Sequence, residues 1–81
     1  LYAYDVDGKG MATNERKVVS GIKGVPDGIR VDEKGNIYVT AEKLDIYSPE
    51  GKLLHQIEFG EIPRNAAFGD PDFQSLYVTA Y

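Results

Sequence analysis

The chain repeats itself, and that repeat limits what it can fold into more than any other feature. The stretch "PDGIRVD" followed by "NIYVTA" (26–41) lines up with "PRNAAFGD" followed by "SLYVTA" (63–80), at an offset of 37 at Pro26/Pro63 that grows to 39 at Tyr38/Tyr77. "LYAYDVDGK" (1–9) lines up with "LDIYSPEGK" (44–52) at an offset of 43, matching Leu1 with Leu44, Tyr4 with Tyr47, Gly8 with Gly51 and Lys9 with Lys52. A unit of about forty residues, repeated in a chain of 81, marks an architecture of stacked modules in which each buries its apolar face on the next.

The module is made of strands. No window carries apolar residues at helical spacing over three turns, because Gly or Pro interrupts the chain every ten residues or so. Short alternating segments are predicted at Leu1–Val6, Arg16–Ser20, Gly28–Asp32, Asn36–Ala41, Leu44–Tyr47, Leu53–Phe59, Asn65–Phe68 and Leu76–Ala80. Between them stand "DVDGKG", "DEKGN", "SPEGK" and "GDPDFQS", rich in the residues that tight antiparallel connections require.

Four strands in about forty residues fit a β-propeller blade. The expected fold is all-β, a propeller fragment of about two four-stranded blades. Residues 1–20 would supply the outer strands of one blade, 28–59 a complete blade and 65–80 the inner strands of the next. Both ends lie in or beside strand-like text, so the chain reads as a piece of something longer. A ring takes at least four blades, so the expected partners are the missing blades of a parent chain or other copies of the same chain.

Charge and composition exclude several function classes. Thirteen acidic residues against nine basic ones give a net charge of −4, the wrong sign for a nucleic-acid surface. No apolar run approaches the roughly 18 to 20 residues that span a bilayer, and no leader is visible. The absence of cysteine removes disulfides, thiolate metal sites and a Cys nucleophile, and leaves the compartment open between cytoplasm and periplasm or exterior.

Pro26-Asp27-Gly28 stands immediately before the innermost predicted strand of the complete blade, at the mouth of the channel that a ring would enclose. There a carboxylate can join oxygens from other blades around a hard cation. The plainer reading makes Pro-Asp-Gly a type I or II corner in which Asp27 only caps its own backbone. Arg64 and Asn65 occupy the equivalent slot of the next blade, where Arg64 could touch an anionic substrate or simply pair with a carboxylate. Asp5-Val6-Asp7-Gly8 starts like a helix-loop-helix calcium loop, but its Gly and the residue at position 12, Arg16, fall wrongly, so a hairpin turn is expected. His55 is expected at the surface of an outermost strand, and the six tyrosines are expected to pack between blades.

"VPDGIRVDEKGNIYVTA", "LDIYSPEGKLL" and "NAAFGDPDFQSLYVTA" together resemble the C-terminal blades of the gluconolactonase, regucalcin and senescence-marker-protein family, over essentially the whole chain. The resemblance implies a six-bladed propeller that hydrolyses sugar lactones and related esters with one divalent cation in its channel, Ca²⁺ foremost and Zn²⁺, Mn²⁺ or Mg²⁺ as alternatives. It also implies that Asp27 is the aspartate that ligates the metal and acts as general base on the attacking water. The family's other protein ligands, a glutamate from the first blade and an asparagine from the blade before this stretch, have no counterpart in these residues. The reading is therefore a fragment of a metal-dependent lactonase acting on a small-molecule lactone, inactive by itself. The rival readings are a non-catalytic propeller scaffold and a self-associating half-propeller.

Overall fold

The computed structural model describes residues 1–80 and is all-β. Eight strands follow in order: β1 (Tyr2–Val6), β2 (Ala12–Lys17), β3 (Ile29–Val31), β4 (Ile37–Thr40), β5 (Leu44–Tyr47), β6 (Leu53–Ile57), β7 (Pro63–Gly69) and β8 (Ser75–Ala80). They form a two-stranded sheet β1-β2, a four-stranded sheet β3-β4-β5-β6 and a two-stranded sheet β7-β8, each pair antiparallel. Within each sheet, neighbours in sequence are neighbours in space, the meander of a propeller blade. Among the described residues no helix is long and apolar enough to cross a membrane.

Side-chain caps set the hairpins. Asp7 accepts from the amides of Lys9 (2.8 Å) and Met11 (3.0 Å), Asp32 from those of Lys34 and Asn36 (both 2.9 Å), and the Ser48 hydroxyl from Lys52 (3.1 Å). Each short polar side chain satisfies turn amides that the ladder leaves over. The Asp7 cap also corrects the second strand, predicted at Arg16–Ser20. It tightens the connection to residues 7–11, so β2 starts at Ala12 and ends at Lys17. Val18 and Val19 then leave the ladder, their amides donating to the Leu1 carbonyl, and Val19 turns into the core.

That core is small, as the chain length requires. Val19, Val39 and Tyr47 are buried together, with Leu1, Val18, Ile22 and Ile37 packed against them. It therefore ties the β1-β2 sheet to the four-stranded blade. Val18 lies so close to Gly51 that a β-carbon there would overlap the Val18 carbonyl, and φ of +94° at Gly51 independently favours glycine. On the other flank Tyr38 and Phe68 meet edge to face at 5.1 Å between ring centroids, and Ala66 is buried, tying β7 to the blade.

A polar group is buried beside the core. Asp45 accepts from the Tyr47 hydroxyl at 3.1 Å and from Gln56 at 3.0 Å. The expectation for the tyrosines holds in part: Tyr47 is buried and Tyr38 stacks, whereas Tyr2, Tyr4 and Tyr77 face solvent.

Candidate functional site

Asp27 sits where the chain enters the four-stranded blade, and its backbone is fixed from β4. Its amide donates to the Thr40 carbonyl at 2.8 Å, and the next amide, Gly28, donates to the Thr40 hydroxyl at 2.7 Å. Thr40 in turn returns its own amide to the Gly28 carbonyl at 2.9 Å. The carboxylate is left outside this lattice and half exposed.

Thr40 is the hub of the arrangement and only 1% exposed. Its hydroxyl accepts from Gly28 and donates to the Arg64 carbonyl at 2.8 Å, so one side chain joins the starts of β3 and β7. Nothing in the local sequence marks it as more than a strand residue. The repeat does mark it, since Thr79 stands at the equivalent place of "SLYVTA" and its hydroxyl faces the Asn65 carbonyl at 3.4 Å.

Gly28 is required by close approach. A β-carbon at this position would lie 2.5 Å from Asn65 Oδ1 and 2.9 Å from the Arg64 carbonyl oxygen. The absence of a side chain lets β7 come within reach of the Thr40 hydroxyl. Arg64 thereby brings its guanidinium to 4.0 Å from Asp27 Oδ2, with both side chains about half exposed. The carboxylate pairing expected for Arg64 is present. Asn65 accepts from the Ala66 amide at 2.9 Å through its own side-chain oxygen.

Other candidates lie elsewhere. His55 is exposed on β6, the edge of the four-stranded sheet. Asp5 pairs with Arg16 at 3.2 Å and accepts from Asn14 at 2.9 Å, which leaves the Asp5–Gly8 stretch a hairpin. A groove of about 490 Å³ lies at the opposite end of the blade from Asp27, among the turn residues Asp32–Lys34 and Asp72–Gln74. Asp32 there has its carboxyl lowered: partial desolvation opposes ionisation, but the Asn36 and Lys34 amides, the Asn36 side chain and the Tyr38 hydroxyl outweigh it.

Among the described residues no three His, Cys, Asp or Glu side chains gather to hold a metal. Asp27 has the donor chemistry of a hard-cation ligand, but such an ion takes about six to eight oxygens. Alone it offers one carboxylate towards that number, so these residues by themselves do not make a complete cation site.

The whole stretch, residues 1–81, matches the family model described as SMP-30/Gluconolactonase/LRE-like region. The chain belongs to that family. A gluconolactonase of Zymomonas mobilis is 31% identical over 99% of the chain, and a pentonolactonase of Haloferax volcanii is 36% identical over 96% of it. The solved structure of a gluconolactonase from Xanthomonas campestris superposes with a TM-score of 0.85 at 27% identity, covering 98% of the chain. The chain spans 25% and 28% of the two curated relatives and 26% of the solved structure. As a member of the SMP-30/gluconolactonase family it has the fold expected, part of a six-bladed propeller with about two blades' worth of strands.

Proposed function

We propose that these residues are part of a metal-dependent lactonase in which Asp27 is both a cation ligand and the general base. The observation that carries the reading is the placement of Asp27: a half-exposed carboxylate at the start of the first strand of the blade, its backbone pinned by Thr40. The lactonase names of both curated relatives support the reaction class.

Asp27, together with oxygens from outside these residues, would hold a divalent cation, Ca²⁺ foremost, and that cation would supply the Lewis acidity that polarises a lactone carbonyl. Asp27 orients a water through its free oxygen and takes its proton as the water adds to that carbonyl. Thr40 and Gly28 keep the carboxylate aimed by holding the backbone on both sides of Cα. With one ligand to offer, the isolated chain is expected to be inactive towards lactones.

Arg64 favours the rival reading, a binding scaffold without chemistry, because its guanidinium sits beside the working carboxylate. At 4.0 Å between half-exposed groups that pair is worth at most about 1 kcal/mol and does not block a cation. Calcium titration of a full-length family member carrying these residues separates the two. Asp27→Ala is expected to weaken the cation at least tenfold, and chelation to abolish lactone hydrolysis. Unchanged calcium affinity would return Asp27 to the role of a corner residue.

A further inference from the structure

Two neighbouring blades present opposite charges at one equivalent position. Asp27 and Arg64 stand 37 residues apart, the offset at which Pro26 repeats as Pro63. The structure keeps the equivalence. Ala66↔Val78 in β7-β8 repeats Ile29↔Val39 in β3-β4, and the Thr79 hydroxyl lies 3.4 Å from the Asn65 carbonyl, just as the Thr40 hydroxyl lies 3.4 Å from the Gly28 carbonyl. The slot that holds a carboxylate in one blade therefore holds a guanidinium in the next, and the two side chains converge to 4.0 Å.

The backbone fixes that convergence. The Arg64 carbonyl accepts from the buried Thr40 hydroxyl at 2.8 Å, and Gly28, with no side chain, lets β7 come that close. The same hydroxyl accepts from the Gly28 amide, next to Asp27. One threonine thus sets the spacing between the anion and the cation. Lys23 and Lys43 are drawn elsewhere, to Glu42 at 3.8 Å and to Glu58 at 3.9 Å.

We propose that Arg64 is a specificity-determining residue, which binds a carboxylate on the substrate and directs the site to lactones of sugar diacids. The inference rests on the lactonase reading of Asp27 and adds the substrate class to it. A guanidinium offers one positive charge and parallel N–H donors, which match a carboxylate in charge and shape. A sugar lactone is small, so a carboxylate on its exocyclic carbon lies within a few ångströms of the carbonyl under attack. A long Arg side chain anchored beside Asp27 covers that span. The 4.0 Å contact with Asp27 is too long for a hydrogen bond and joins two half-exposed groups, so a substrate carboxylate at bonding distance is the stronger partner. A phosphate monoester, with a charge of about −1.5 to −2, exceeds what one guanidinium neutralises and would leave negative charge beside Asp27.

The test uses a full-length family member carrying these residues and three lactones that differ at the exocyclic carbon: gluconolactone with a hydroxyl, glucarolactone with a carboxylate and phosphogluconolactone with a phosphate. The ratio of kcat/KM for glucarolactone over gluconolactone is expected to be at least about ten, and to fall about tenfold or more in Arg64→Gln. Arg64→Lys, which keeps the charge without the planar fork, is expected to recover part of the preference. Calorimetry with glucuronate and glucose, which share a ring and lack the lactone, reads binding without turnover. Glucuronate is expected to bind more tightly than glucose, and to lose that advantage in Arg64→Gln. Hydrolysis with a ratio that Arg64→Gln leaves unchanged, or a preference for the phosphate lactone, would overturn the proposal and spare the lactonase reading. Failure to hydrolyse any of the three would sink the lactonase reading. Arg64-dependent glucuronate binding would then keep the carboxylate site, and its absence would remove both.

Discussion

The side chain that organises this site is Thr40, although Asp27 carries the proposed chemistry. Thr40→Val keeps shape but removes the hydroxyl, leaving the Gly28 amide and the Arg64 carbonyl without their partner in a buried place. A loss of about 1 to 3 kcal/mol in denaturant unfolding is expected. Gly28→Ala is expected to cost a similar amount, about 1 to 3 kcal/mol, because its new methyl meets backbone on β7 that has to move. Tyr47 gives a second test at this scale. Desolvation, then its bond to Asp45, pushes the phenol up to about 12 from 10.0. A raised pKa stabilises the fold fully below the ordinary tyrosine value, and that contribution is lost as pH rises from 10.0 through about 12. Near-ultraviolet absorbance is expected to show one tyrosine ionising that late, and Tyr47→Phe to remove the step. Proline, aspartate and glycine at 26–28 made the Asp27 position legible in the sequence. Asp45 was not legible, because a carboxylate in an alternating strand reads as solvent-facing until its Tyr47 and Gln56 partners are seen.

At the scale of elements, all eight strands could be read from alternation and turn residues, and β5 falls at the bounds expected, Leu44–Tyr47. The failure at β2 has a physical cause. Valines at 18 and 19 have high strand propensity, but the Asp7 cap fixes where the hairpin closes, and the core then takes Val19 out of the ladder. Propensity lost to a side-chain cap together with burial. Hydrogen-bonded carboxylates predict an acid response. Asp5, held by Asn14 and Arg16, Asp32, held by its turn amides, and Asp70, held by Ser75 and by the Tyr77 hydroxyl at 2.6 Å, all have carboxyls below their ordinary value of 3.8, so their contribution is present above that value and fades as pH falls through the lowered ones. Asp32→Ala, which frees the Lys34 and Asn36 amides, is expected to flatten this acid limb in thermal unfolding followed against pH. Gly51→Ala is expected to loosen the β1-β2 sheet from the blade by about 1 to 3 kcal/mol, since both its φ and the Val18 carbonyl oppose a side chain.

At the scale of the whole molecule, the sequence showed the ring through its repeat, and the structure shows how each sheet is stitched to the next. Val19, Val39 and Tyr47 fasten one flank of the blade, and Tyr38, Phe68 and Thr40 fasten the other. A cation site was not legible, because one carboxylate does not define one. The central claim, that Asp27 is the working carboxylate of a lactonase ring, is tested most directly by rate. The 81 residues replace the segment they match in the Zymomonas mobilis gluconolactonase, and gluconolactone hydrolysis is followed with Asp27 and with Asn at that position. The account predicts an active chimera whose kcat falls at least about a hundredfold on Asp27→Asn. Equal turnover by the two would contradict it.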